Sequence, residues 1–567
     1  MGNYFRRAAL AFTRLALALI LAVLLSGHSS ATNNTVDATL YPGSDPCAQI
    51  NAALAALEPT GGTVDASGFT ATQLATPCQT TISVNIPATI IFGCDTWTLN
   101  GNPGINIASS DVTIQCPNSN ESDISFTKPP NLLSGGPYPL ISDTVQSPHG
   151  TDGFVIRNCY LKGNSVGTFG LFFPYGSAGQ IHNVFTHGFT SVGQFTIGGQ
   201  WLAESAYSSY NWGDGVVWGY DGSVWGNPQY AGNGGCGFHA VVGGSTLQNQ
   251  GTYHNRLHGI YIDGTGAPDW APLLSYVEQH FIRPIKGNPG NFAYFTQTPG
   301  TTSASPPTFC QIPGCTVNDG SVTWINVGTG HGYGNDSAFE NNLWTTLTST
   351  TCTSSGYMEP DGFIADNIRV EGTVAHPVIF TIISGADCHQ NEATDYPANG
   401  IHLLNVNYVN LTGFSWLGSG YSKVPGGYGL FLEGAKGVEL ASMASLFSYA
   451  SALKIVDSNS SAFTGIVAFD TALASTPGAD TYAVSIDSSS LAITLDDVNI
   501  RDDRSPPFPA GSSTPAVRLS SPTTKHLVSY QIRQAGGIVI GRPIAPLGRS
   551  MLRKDLRMSG AVRRAFY

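Results

Sequence analysis

Along the middle of the chain a glycine followed by a short apolar run recurs in one phase. Gly193-Gln194-Phe195-Thr196, Gly215-Val216-Val217-Trp218, Gly237-Phe238-His239-Ala240 and Gly259-Ile260-Tyr261-Ile262 follow one another at 22-residue intervals, with Gly170 23 residues before the first and Phe281 22 residues after the last. Asn211, Asn233 and Asn255 precede three of these glycines by the same short interval. A period of this length with a short strand in each repeat predicts a parallel β-helix, in which each coil lies one strand spacing, about 4.8 Å, above the last. The asparagines then stack as an amide ladder inside a turn. A looser recurrence at Gly400, Gly429, Ala452 and Ala483 carries the pattern toward residue 500.

Alternation along a strand sorts side chains by face. The first and third residues after each glycine (Val216 and Trp218, Phe238 and Ala240, Ile260 and Ile262) suit the interior. The second points outward, so Phe172, Phe195, Val217, His239, Tyr261 and Arg283 form one outer column, and Asp263 shares its face. Immediately before the glycines stand Asp214, Cys236 and His258, with His280 one period on. Asp214 and His258 are then about 9.6 Å apart, two strand spacings, which suits an acid and a base flanking a glycosidic bond with a water between them. Aromatic residues crowd this stretch, Trp212 and Tyr220 among them, and aromatic faces stack on sugar rings.

One amphipathic helix opens the chain. Asp45 is an N-cap, Pro46 suits the first turn, and Cys47, Ile50, Leu54 and Leu57 form an apolar stripe that ends before Pro59 and Gly61-Gly62. Such a helix is placed to cover the open edge of the first coil. No second helix is evident before residue 500, and the composition agrees: only 11% of the residues are charged, with 67 Gly and 34 Pro in 567. Long charged helices and coiled coils are excluded.

Residues 1–31 read as a secretory signal, with Arg6, Arg7 and Arg14 before the apolar run Leu15 to Leu25 and small residues at Ser29-Ser30-Ala31. No later stretch spans a membrane. Residues 32–541 hold 15 Lys+Arg against 36 Asp+Glu, whereas the last 26 residues carry a net charge of +6. So acidic a body excludes nucleic-acid binding, which needs clustered cations on phosphate. The ten cysteines imply disulfides of an oxidising compartment, Cys310 and Cys315 being the most local pair. No spacing indicates a metal site.

The segments Gly43-Ser44-Asp45, Ile50-Asn51-Ala52-Ala53-Leu54, Gly61-Gly62-Thr63-Val64 and Gly68 resemble the N-terminal signature of the pectate-lyase-like right-handed parallel β-helix superfamily. That resemblance implies an all-β, right-handed, single-stranded parallel β-helix with an N-terminal capping helix. The superfamily holds polysaccharide lyases, polygalacturonase-type hydrolases, epimerases, tailspikes and non-catalytic surface proteins. Gly150-Thr151-Asp152-Gly153 is similar to the hydrolases' Asn-Thr-Asp-Gly segment, and Thr186-His187-Gly188 to their Gly-His-Gly. Their Asp-Asp pair has no counterpart between the two, and Arg283-Pro284-Ile285-Lys286 comes too late for their Arg-Ile-Lys. Asp319-Gly320-Ser321-Val322-Thr323-Trp324 resembles small insertions of phage-tail and bacterial surface proteins and reads here as a hairpin stapled by Cys310 and Cys315.

The expected organisation is a signal (1–31), a cap and coils with a glycan groove (32–285), a Pro/Gly-rich insertion (286–330), further coils (331–500), and C-terminal strands with a basic tail (501–567). The expected function is that of an exported protein hydrolysing polysaccharide, with Asp152, Asp214 or Asp263 as acid or base and a second carboxylate, or His239 or His258, completing proton transfer. Tyr261, Arg283, Trp212, Tyr220 and Arg256 are the expected substrate contacts. A lyase, with Arg256 or Arg283 and a Ca²⁺ ion meeting a uronate, and a non-catalytic glycan-binding surface protein are the alternatives. The hydrolase reading calls for no cofactor.

Overall fold

The computed structural model describes residues 34–539, apart from 126–137, 144–150, 283–292, 329–344, 354–364, 390–398, 418–426, 470–481, 503–516 and shorter interruptions. The signal segment, the basic tail, Tyr220, His280 and Arg283 lie outside the described residues. The chain winds into a parallel β-helix whose coils build one sheet of 24 strands and one of 14. The repeat read from the sequence sets the register of the smaller sheet: Gln194 pairs with Val216, Val216 with Phe238, and Phe238 with Ile260.

The asparagine ladder forms. Asn211 Nδ2 donates to Asn233 Oδ1 at 2.9 Å and Asn233 Nδ2 to Asn255 Oδ1 at 2.9 Å. The same oxygens take the backbone N–H of Asn211 and Asn233. All three side chains are buried, so the ladder satisfies polar groups that water cannot reach. It also explains why glycine keeps the asparagine's phase: a Cβ on Gly215 falls 2.8 Å from Asn233 Nδ2, and one on Gly237 falls 2.8 Å from Asn255 Nδ2. A second column of special residues bends each coil within the larger sheet. Asn183, Ser205, Asn227, Asn249, Ser349 and Gly385 have φ from 51° to 64°, the left-handed region that Gly and Asn tolerate best.

The helix α1 (Pro46–Leu57) forms where expected, with Asp45 accepting from Ala48 N and the apolar stripe buried. The strand Ile82–Val84 of the smaller sheet pairs on one side with Ile105–Ile107. Its other edge meets Asn51 of α1, whose Oδ1 accepts from Ser83 N and whose Nδ2 donates to Thr81 O, at 2.9 and 2.8 Å. One amide side chain thus makes the hydrogen bonds a further strand would make. Disulfides join Cys47 to Cys78, Cys116 to Cys159 and, as expected from proximity, Cys310 to Cys315.

Inward-facing Val216, Trp218, Phe238, Ala240, Ile260 and Ile262 are fully buried in the continuous core. The regular period stops after Tyr261. The strand Ile260–Asp263 pairs next with Asp366–Glu371, and Ser245–Gln248 with Thr345–Thr348. The chain between builds an antiparallel excursion in which Phe281, expected to open the next coil, pairs instead with Phe295. The excursion therefore begins well before the composition shift at residue 286. Asp319 is its hub: Oδ2 accepts from Trp270 Nε1 (2.7 Å) and Trp324 Nε1 (2.9 Å), and Oδ1 from Ser303 N (2.9 Å).

The excursion also decides what happens to the outer column. Phe172, Phe195 and Val217 face outward, yet they are buried in one cluster with Phe281, Phe295, Ile325 and Val327. Phe195 lies 5.2 Å from Phe295, ring centre to ring centre. Over these coils the expected open groove is an internal interface.

Candidate functional site

Past the covered coils the outer column continues in strict register from Val217 to His239, Tyr261, Arg369, His402, Phe431 and Lys454. Each residue sits between inward-facing apolar neighbours, as Arg369 does between Ile368 and Val370, so strand alternation alone points it out of the core.

Three of the predicted residues come together here. His239 Nδ1 meets Asp214 Oδ2 at 2.8 Å, and its Nε2 meets Asp263 Oδ2 at 3.3 Å. Burial works against charge on the imidazole, but the hydrogen bonds to Asp214 and Asp263 outweigh it and hold His239 up at about 10. Asp214 also accepts from Cys236 N at 2.6 Å, and Asp263 from Thr265 N at 2.9 Å. The triplet is 1–3% exposed, so it is a brace beneath the surface, with one imidazole between two carboxylates. His258 is also buried, its Nδ1 accepting from Asp366 N at 2.9 Å.

The remaining predicted residues are dispersed. Asp152 is exposed in the turn before Phe154–Arg157, a strand of the larger sheet, and its N–H donates to Ser110 Oγ. Trp212 and Arg256 are exposed on turns. Tyr261 is buried, stacks on His239 at 4.8 Å, and donates its hydroxyl to Glu371 Oε2 at 3.0 Å.

That last contact leads into a group the repeat did not reveal: Asp366, Arg369, Glu371, His402 and Glu433. Arg369 Nη1 donates to Asp366 Oδ2 at 3.0 Å, and Nε to Glu371 Oε2 at 2.6 Å. His402 Nδ1 lies 3.2 Å from the same Asp366 oxygen, and Asn399 Nδ2 donates to Asp366 Oδ1 at 2.6 Å. Burial opposes charge on Asp366, but His402 and Arg369 hold its carboxyl well below the ordinary range. Burial likewise opposes charge on His402, whereas Asp366 and Glu433 raise it above the usual imidazole value. Glu433 is lowered in return by His402. His402 stacks flat on Phe431 at 4.4 Å.

The group opens outward. Side-chain exposure is 0% at Asp366, 8% at His402, 18% at Arg369 and Glu371, and 46% at Glu433. His402 Nε2 is buried without a hydrogen-bond partner among the described residues, Glu433 Oε2 being 3.8 Å away. One signal for these residues was present in the sequence. Gly400, Gly429 and Ala452 belong to the looser recurrence, and the second residue after each is His402, Phe431 and Lys454.

Among the described residues, Asp45, Cys47 and Cys78 group as metal ligands could, but the two sulfurs are bonded to each other. No described helix is long and apolar enough to cross a membrane.

No protein-family model and no curated protein matches the chain. Solved structures similar to it include the A-module of mannuronan C-5 epimerase AlgE4 from Azotobacter vinelandii, at 12% identity, covering 88% of this chain and all of that one, with a TM-score of 0.43. Tailspike protein 3 of bacteriophage CBA120 is 9% identical over 92% of this chain and 67% of its own, with a TM-score of 0.46. The Streptococcus pneumoniae surface protein and adhesin PfbA is 7% identical over 82% of this chain and 97% of its own, with a TM-score of 0.38. Likenesses this distant carry no argument about chemistry, which rests on the site.

Proposed function

We propose that the protein is an exported, glycan-active β-helix enzyme, and that its reaction centre is the Tyr261–Asp366–Arg369–Glu371–His402–Glu433 group, a hydrolytic one. The observation that carries this reading is the state of His402. One ring nitrogen is fixed by Asp366, while the other faces the half-exposed Glu433 carboxylate, 3.8 Å away. An imidazole raised above its usual value and facing a half-exposed carboxylate can pass a proton outward along that contact to an acceptor such as a glycosidic oxygen.

Glu371 supplies the opposing function. Arg369 and the Tyr261 hydroxyl hold it as an acceptor of two charge-assisted or short hydrogen bonds, and from there it takes a proton from the attacking water. Glu371 and Glu433 share one register column with Leu404 between them. Elimination needs a cation committed to a uronate carboxylate, and Arg369 already serves Asp366 and Glu371. Disulfides fit an oxidising, extracytoplasmic location.

The test is turnover of neutral and acidic polysaccharides followed in two ways at once. New reducing ends without unsaturated product support hydrolysis. Ultraviolet-absorbing unsaturated ends replace it with elimination, and glycan binding with neither product makes the protein a binding module.

A further inference from the structure

Resting on that reading, we propose that the recess takes the end of a glycan chain and not its middle, because the excursion after Asp263 walls it off on the side of Tyr261. A polysaccharide lying along a β-helix needs an outward column open in both directions from the reacting bond. Here the column is sealed at Phe172, Phe195 and Val217 by Phe281, Phe295, Ile325 and Val327. The seal reaches the strand Phe238–Val242, because Val241 belongs to the same cluster. Tyr261, at the sealed end of the site, is still buried. Exposure begins only at Arg369 and Glu371, the next strand along.

On the other side Phe431 and Lys454 are partly exposed, with Lys454 Nζ over the Tyr428 ring at 5.8 Å. One strand further, Ser485 is buried again. The open stretch therefore runs over the strands of Arg369, His402, Phe431 and Lys454, a rise of about 14 Å at one strand spacing per step. That length holds a short oligosaccharide. With the sealed end at Tyr261 two strands from His402, the scissile bond lies close to a chain terminus, and the glycan turns off the column at Lys454, before the buried Ser485.

The wall is fixed in place. Its sheet packs by apolar contact on the coils beneath, Asp319 locks two tryptophans within it, and Asp263 at its root holds both Thr265 and His239. The barrier therefore stands beside the strand Phe238–Val242 and excludes chain continuing over that strand.

The experiment measures binding of the full chain to linear xylan, galacturonan, alginate and glucan oligosaccharides, each prepared with free ends, with a bulky dye on one end or the other, and with dyes on both. The expected result is that tagging one particular end weakens binding by at least about tenfold, tagging the opposite end does not, and affinity stops rising once the chain exceeds a short oligosaccharide. A doubly tagged chain that binds as well as the free one overturns the end-on site while leaving the glycan reading intact. Absence of binding to every glycan overturns both.

Discussion

Asp366 lies one strand along from His258 although 108 residues separate them, and its backbone N–H donates to the imidazole Nδ1 at 2.9 Å. The contact returns the chain to register after its excursion and delivers the carboxylate on which Arg369 and His402 depend. Replacing Asp366 by Ala leaves Arg369 and His402 without their shared partner, at a cost of about 3–5 kcal/mol for a broken buried pair. Denaturant melts measure the loss. In the folded fraction, the His402 titration followed by nuclear magnetic resonance moves to lower pH, because Asp366 is what raises it.

His239 gives the fold a dependence on alkaline pH. Its folded value of about 10 lies above the ordinary imidazole value of 6.5. The stabilisation is therefore complete below about 6.5 and is lost as pH rises through about 10. Melting temperature falls across that interval in the native chain. In His239→Leu the fall disappears, and the whole curve lies lower because Asp214 and Asp263 face each other without a cation. A flat native profile between neutrality and pH 10 contradicts the brace.

The inner and outer asparagine ladders differ in worth. Asn233 is buried and joins two coils through both ends of its amide, whereas Asn249 donates to Asn227 at the surface. Asn233→Ala strands buried donors and acceptors and costs about 3 kcal/mol or more, at about 1–3 kcal/mol for each unsatisfied group. Asn249→Gly keeps the left-handed bend at φ 51° and costs well under half as much. Paired unfolding curves compare the two directly.

For the proposed chemistry, Glu371→Gln and His402→Asn each lower turnover by about 10²–10⁴ with unchanged far-ultraviolet dichroism. Asp152→Asn, on the other sheet, leaves turnover where it was. Steady-state rates of the three variants on one substrate decide the placement, and full activity in His402→Asn removes it.

The sequence carried the solenoid because a coil of constant length prints its own period: Asn211, Asn233, Asn255 and the glycines that follow them are vertical neighbours as expected. It also set His239 and Asp263 on one outward face, but it paired Asp214 with His258, whereas Asp214 meets His239. The burial of Phe172, Phe195 and Val217 was not legible, because their cover comes from Phe281, Phe295, Ile325 and Val327, which look like a continuation of the coils or a loose loop when read in order. The group around Asp366 stayed hidden for a related reason. Arg369 succeeds Tyr261 in space only because the chain leaves and returns, and a search at constant spacing lands on Arg283. His402 was within reach through Gly400, had the same outward rule been carried across the gap.

The left-handed bend at Asn183, Ser205, Asn227, Asn249, Ser349 and Gly385 recurs whether the neighbouring coils are joined directly or through the long excursion. One corner of the molecule thus admits no change in length, while another has absorbed an added antiparallel sheet. For engineering, foreign loops belong at the corner that follows Asp263, where register is recovered a coil later. A single residue spliced beside Asn227 would shift each side chain after it to the opposite face.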